Sequence, residues 1–256
     1  MAGELFEIER RQNYAVFTIN RPEKRNALNE PVLKALDAAI TSVENDKEIR
    51  AIIMRGAGGS FCSGIDLAEV ERLEGGHNPV NVERVFHRFA HIPVPTIAAV
   101  QGAALAGGCE LALHCDLRIG AEDLRMGMTV ARVGLVVPYE FIRKLIEIIG
   151  AANTAQILYT AEPVNAQRAF HMGMVHELVP NAKLEETAIA WAEKVSANAP
   201  LSLRTMKRSL RRALSASNNA WHEDILDLSR RIRKSKDAKE GVRAFLEKRK
   251  PIWKAE

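Results

Sequence analysis

The chain has 256 residues, 47% apolar and 27% charged, with a formal net charge of +4. That length fits one large α/β domain, or one domain with a small appendage, and the apolar fraction supports a substantial core rather than disorder. No window approaches the roughly 18 continuous apolar residues of a membrane span, and the opening M-A-G-E-L-F-E-I-E-R lacks the basic-then-apolar layout of a signal peptide, so a cytoplasmic location is expected.

Leu5 to Arg10 alternates apolar and charged residues, and Tyr14 to Asn20 follows a polar turn; the pair predicts a β-hairpin. Residues 21–26 form a cation-rich loop. Asn29 is placed to cap a helix with Pro31 in its first turn and Leu33, Leu36, Ile40 and Val43 on one face. Ala51 to Met54 predicts a buried strand, followed by the glycine-rich turn Gly56 to Leu67. An amphipathic stretch surrounds Val82, Val85, Phe86 and Phe89. His77, His87 and His91 lie nearby, but no third ligand accompanies the i,i+4 pair His87 and His91, so no metal site is expected.

Thr96 to Val100 is of strand length and composition, Gly102 to Gly108 is a loop of small residues, and Cys109 to Leu113 predicts the first turns of a buried helix. Glu110 stands at that helix entrance, where exposed N–H groups and the positive dipole end favour negative charge. A strand, a glycine turn and a helix start bearing an acid can bind an oxygen and move a proton. The competing reading is a tight turn with a solvated glutamate.

Leu117 to Gly120 is a further strand, and Val133 to Val137 is an apolar run ending at Pro138. Helices are predicted over Tyr139 to Ile149, stopped by Gly150, and over Ala151 to Tyr159. Met174 to Val179 is a late strand. Beyond Asn181 the pattern is helical: Ala188 to Val195, Leu201 to Leu214, Trp221 to Ile232 and Lys236 to Lys248. Residues 181–256 carry 18 Lys and Arg against 10 Asp and Glu, whereas residues 1–180 carry 18 against 22. The expected layout is therefore a core over residues 1–180 and a basic helical region over 181–256, whose cations are either solvated faces or an anion site. Two strand–glycine turn–helix units imply parallel pairing with crossovers. Cys62, Cys109 and Cys115 lack C-x-x-C spacing and suit a reducing compartment; Cys109 and Cys115, in apolar company, read as small buried hydrophobes.

Four blocks carry a resemblance. They are N-A-L-N (Asn26 to Asn29), F-C-S-G-I-D-L (Phe61 to Leu67), P-T-I-A-A-V-Q-G-A-A-L-A-G-G-C-E-L-A-L-H-C-D (Pro95 to Asp116) and E-G-V-R-A-F-L-E-K-R-K-P (Glu240 to Pro251). In order and spacing they resemble the crotonase (enoyl-CoA hydratase/isomerase) superfamily over nearly the whole chain. The resemblance implies an α/β fold, the crotonase-type ββα spiral with a C-terminal helical region serving oligomerisation and CoA contacts, assembled as a trimer or a dimer of trimers. It implies an oxyanion hole from the N–H groups of Ile65 and Gly107, worth about 10²–10³ in rate per donor. It places the Ser63 carbonyl by the CoA adenine, Lys24 and Arg25 toward the CoA phosphates with Lys248 and Arg249 assisting, and Ala27, Asp66 and Leu67 along the same cofactor. Exposed solubilising charge is the competing account of those cations. No cofactor is implied beyond coenzyme A as part of the substrate.

The resemblance also makes Glu110 catalytic. Hydratases of the family pair it with a second glutamate, which falls on Val130 here, and Pro138-Tyr139-Glu140-Phe141 replaces the usual glycine-rich run. Val130 transfers no proton. Either Glu110 acts as both base and acid, or Glu140 or Tyr139 supplies the missing proton, or the chain binds acyl-CoA with little turnover. The leading expectation is hydration of a 2-enoyl-CoA, a role in fatty acid metabolism. The alternatives are double-bond isomerisation from one carboxylate, and an RNA-binding or catalytically silent acyl-CoA-binding protein on the same fold.

Overall fold

The computed structural model describes residues 5–68, 81–215, 230 and 234–252. Nine strands lie among them: β1 (Phe6–Arg10), β2 (Tyr14–Ile19), β3 (Ala51–Gly56), β4 (Thr96–Val100), β5 (Ala103–Leu105), β6 (Leu117–Ala121), β7 (Arg125–Gly127), β8 (Val164–Asn165) and β9 (Glu177–Val179). Six form one sheet in the order β1-β2-β3-β4-β6-β9, and β5-β7-β8 form a small second sheet. The β1–β2 hairpin is antiparallel, as its alternation predicts, and every other pairing in the main sheet is parallel. Parallel neighbours need crossover connections, and the helices supply them.

Those helices are α1 (Glu30–Glu44), α2 (Val82–His91), α3 (Gly107–His114), α4 (Tyr139–Thr160), α5 (Ala166–His171), α6 (Leu184–Ser196), α7 (Pro200–Ser215) and α8 (Lys236–Leu246). Asn29 caps α1 by accepting from the Val32 N–H at 3.1 Å, with Pro31 in the first turn. Gly150, at φ 73°, breaks the helical path of α4 where the sequence predicts a stop.

Strands covered on both faces read as continuous apolar runs, and β2, β3 and β4 do. Phe17, Ile52, Met54, Ala98 and Val100 point into the larger core with Leu33, Leu36, Phe86 and Leu111. Their neighbours Val16, Ile53, Ile97 and Ala99 face the other way, onto Leu184, Ala188 and Ala192 of α6. The basic helical region thus leans on the sheet at its start. It is tied again at α7, where Lys207 and Arg211 reach Asp116 at 2.7 and 2.9 Å.

Some elements differ from expectation. The expected loop Gly102 to Gly108 contains β5, because Ala103 to Leu105 pair with β7, and α3 starts at Gly107 rather than Cys109. The run Val133 to Val137 lies in a 3-10 turn (Val130–Val133) and irregular chain beyond it. The late strand is only Glu177–Val179. His77 and, apart from Arg230, the predicted helix Trp221 to Ile232 lie outside the described residues. Cys62, Cys109 and Cys115 are all buried, and burial pushes the Cys62 and Cys115 thiols up to about 12, which makes them poor nucleophiles. No helix among the described residues is long and apolar enough to cross a membrane.

Asp116 accepts from the Thr96 N–H at 2.8 Å and the Thr96 hydroxyl at 3.0 Å as well as from the two cations. Burial alone would raise its carboxyl, but Lys207 and Arg211 hold it below the ordinary carboxylate value. Removing one member of a buried ion cluster strands the others. Asp116→Ala should therefore cost about 3–5 kcal/mol in urea unfolding; a loss near zero would show that α7 is not anchored this way.

Candidate active site

The site grows from two loops that share backbone hydrogen bonds. Phe61 N–H donates to Gln101 O, Cys62 N–H to Ala103 O, and Leu105 N–H to Cys62 O, so residues 61–62 lie as a short strand beside β5. On its other side the first loop is held by residues 25–28: Leu28 N–H donates to Gly64 O, Asp66 N–H to Leu28 O, and Ser63 N–H to Arg25 O. The buried Asn26 side chain fastens the layers, donating to Ala57 O and Ser60 O and accepting from Arg21 N–H. Arg21, also buried, reaches Ala27 O at 2.6 Å and Asp66 at 3.2 Å.

This clamping sets Ile65 against the start of α3. A methyl group on Gly107 would lie 3.6 Å from the Ile65 nitrogen. Among the described residues neither the Ile65 nor the Gly107 N–H has an acceptor, the second because it opens a helix. The approach requires glycine at two places. Gly64, at φ +102°, stands where a side chain would meet Ala106 and Leu105 O at 3.0 Å, and a Cβ on Gly108 would lie 2.0 Å from Cys62 O. Ala106, which precedes α3, has φ 49° and ψ −119°, a conformation an L residue holds only when its surroundings impose it.

Glu110 follows on the first turn of α3. Helical side chains lean toward the N-terminus, so its carboxyl is carried back toward the helix start. Its side chain is 12% exposed, and burial, reinforced by the negative Glu83, pushes its carboxyl up to about 8. It therefore holds a proton through neutral pH and gives it up just above. One turn on, His114 Nε2 lies 3.5 Å from Glu110 Oε1. Burial first, then the positive Lys144 and Arg211, holds that imidazole well below its ordinary value, so the contact is not an ion pair.

The remaining expected residues fall as follows. Lys24 and Arg25 are exposed at the rim of the 21–28 loop, Ala27 is buried beneath them, and the Ser63 hydroxyl donates to Lys24 O at 3.4 Å. Asp66 is committed to Arg21, and Leu67 is half-buried. Lys248 is exposed just past α8, and Arg249 pairs with Glu240 and Glu247. Val130 packs against the larger core. Glu140 opens α4 with its side chain 66% exposed, 3.6 Å from Arg143, whereas the next residue, Phe141, is buried beside His114. Among the described residues no group of three or more His, Cys, Asp or Glu is placed to hold a metal; His87 and His91 stack on each other at 4.0 Å. In the sequence Arg21 reads only as one cation of a loop, Asn26 only as part of the N-A-L-N block, and His114 carries no assigned role. The E-x-x-x-H spacing in G-C-E-L-A-L-H was the available signal for the last.

A family profile described as enoyl-CoA hydratase/isomerase matches residues 9–256. The short-chain-enoyl-CoA hydratase of Clostridium acetobutylicum is 34% identical over 247 residues, 95% of each chain. The solved structure of a carnitinyl-CoA hydratase from Mycobacterium avium is 37% identical, with TM-score 0.89 and all of both chains covered. A methylmalonyl-CoA decarboxylase in complex with 2-nitronate-propionyl-CoA is 29% identical, with TM-score 0.90, again over all of both chains.

The raised carboxyl of Glu110 has a consequence for stability. Between its ordinary value of 4.5 and about 8 the folded protein keeps a proton that the unfolded chain releases, so this group's contribution declines as pH rises through that window. The full decline is about 5 kcal/mol. Glu110→Gln should gain stability over the parent between about pH 5 and 8 in urea unfolding; equal slopes for the two proteins would show that the carboxyl is solvated.

Proposed function

Because the chain belongs to the enoyl-CoA hydratase/isomerase family, we propose that it adds water to a 2-enoyl-CoA through a thioester enolate, with Glu110 as the acid–base group. The observation that carries this reading is the pair of N–H groups at Ile65 and Gly107, without acceptors among the described residues, with the buried Glu110 carboxyl on the helix turn that Gly107 opens. The thioester oxygen accepts from both N–H groups. As the ionised Glu110 takes a proton from water, the water oxygen bonds to the β-carbon and the double-bond electrons move onto the thioester oxygen. The fixed amides favour that charge without reorganising. The enolate collapses as protonated Glu110 returns its proton to the α-carbon, so one water is added and the carboxylate is regenerated.

A second proton source at Glu140 is the alternative within this mechanism. Its exposure and its pairing with Arg143 favour Glu110 working twice. Isomerisation needs the same parts, since one carboxylate can move a proton between two carbons of a 3-enoyl-CoA, and Val130 at the usual second-acid position keeps it as the second reading. For coenzyme A we assign Lys24, Arg25, Ala27, Ser63, Asp66, Leu67 and Lys248 to the contact surface, with Asp66 acting through Arg21. A homotrimer or dimer of trimers acting in the cytoplasm belongs to the same proposal.

Incubation with crotonyl-CoA and with a 3-enoyl-CoA separates the readings by product mass. A gain of one water means hydration; an unchanged mass with a moved double bond means isomerisation. Glu110→Gln should lose at least about 10³ in kcat while still binding acyl-CoA, and Glu140→Gln should keep most of the turnover. For hydration, kcat/KM should rise with pH and level off above about 8, as the base form of Glu110 fills. A fully active Glu110→Gln would overturn the assignment.

A further inference from the structure

We propose that His114 is a positioning residue for Glu110: its neutral imidazole donates from Nε2 to one carboxylate oxygen, stabilising the ionised base and leaving the other oxygen for substrate. This rests on the reading of Glu110 as the acid–base group.

The spacing is the first support. Glu110 and His114 are four apart on α3, and a side chain at the later position leans back over the earlier one. Nε2 stands 3.5 Å from Oε1, longer than a formed hydrogen bond and close enough for a small movement to make one when substrate binds. The second support is that the ring is gripped. It lies between Phe86 of α2 and Phe141 of α4, each ring centroid 5.9 Å away at 60° and 51°. Two large buried side chains hold its plane, so the imidazole points where the packing sends it.

The third support is the polar inventory. Nδ1 of His114 is buried and has no partner among the described residues. A neutral imidazole carries one hydrogen, and only Nε2 has an acceptor within reach. Hydrogen on Nε2 meets the carboxylate; hydrogen on Nδ1 would leave a donor buried and unmet, which costs more. When Glu110 is protonated its O–H donates to Nε2 instead, and the ring hydrogen then sits on Nδ1, where it has no partner among the described residues; ionising the acid removes that unmet donor.

The chemistry requires such a device here. Glu110 is buried, its partner His114 is flanked by apolar rings, and the charged and titratable groups around the pair are Glu83, His87 and His91 from α2, Lys144 from α4 and Arg211 from α7. The dipole of α3 and one neutral donor offset part of the cost of ionisation without adding a second acid. With valine at position 130, that donor performs part of the orienting work that a second carboxylate and its bound water would otherwise share.

The test combines two measurements. In the wild-type protein, 15N NMR of His114 should report the Nε2–H tautomer above the Glu110 midpoint, and 13C NMR of the Glu110 carboxyl should give that midpoint without reference to activity. In His114→Leu the midpoint should move up by about one pH unit, with kcat down about 10–100-fold and KM for crotonyl-CoA within about twofold. His114→Gln, which restores an N–H donor, should recover most of both. An Nδ1–H tautomer above the midpoint, or a His114→Leu midpoint equal to the parent's, overturns the proposal. If His114→Leu does not fold, the wild-type tautomer still decides. If the wild type turns over no enoyl-CoA, the functional reading fails by itself while the two NMR titrations still judge the pairing.

Discussion

Three backbone hydrogen bonds between residues 61–62 and 101–105 carry the rest of the molecule's chemistry. They make the loop after β3 run as a strand against the loop after β4, and so bring Ile65 beside the first residue of α3. Among the described residues, the N–H groups of Ile65 and Gly107 that meet there have no acceptor. Backbone donors fixed in this way need no side chain, which is why the positions concerned carry isoleucine and glycine rather than polar residues. The contact demands glycine instead. Any Cβ at position 108 would collide with the Cys62 carbonyl, and Gly64 takes a φ that few other residues hold. Ala106 carries the strain that remains, held by Gly127 O, which accepts its N–H.

The two acids at the ends of α3 show how surroundings decide ionisation. Asp116 and Glu110 are both buried, and burial disfavours the charged form of each. Asp116 meets Lys207, Arg211 and two donors from Thr96, and stays ionised. Glu110 meets burial, the like charge of Glu83 and a neutral imidazole, and keeps its proton. The first arrangement pins a helix to the sheet. The second gives a group that exchanges a proton near neutral pH.

Much of this was legible in the chain itself. The hairpin, the capped α1, the parallel strands β3, β4 and β6 and the break at Gly150 follow from local pattern: alternation, continuous apolar runs, a cap asparagine and a glycine. The place of Glu110 at a helix start after a glycine loop was legible, but local pattern left a solvated glutamate as an equal reading, and only the fold shows the side chain buried. The short strands β5, β7 and β8 were not, since two or three residues carry no period, and only their partners make them strands. Arg21 read as one more cation in a basic loop, yet it is a buried clamp between residues 27 and 66, far apart in sequence.

The sequence by itself determined which segments are strands and helices, where glycines permit close approach, and that one acid stands at a helix entrance, because those depend on neighbours within a few residues. Only the tertiary structure decided that Glu140 faces solvent while Phe141 turns inward, that Ile65 meets Gly107, and that His114 is wedged between rings from α2 and α4. Burial and proximity belong to pairs of residues far apart along the chain, and folding alone assigns them.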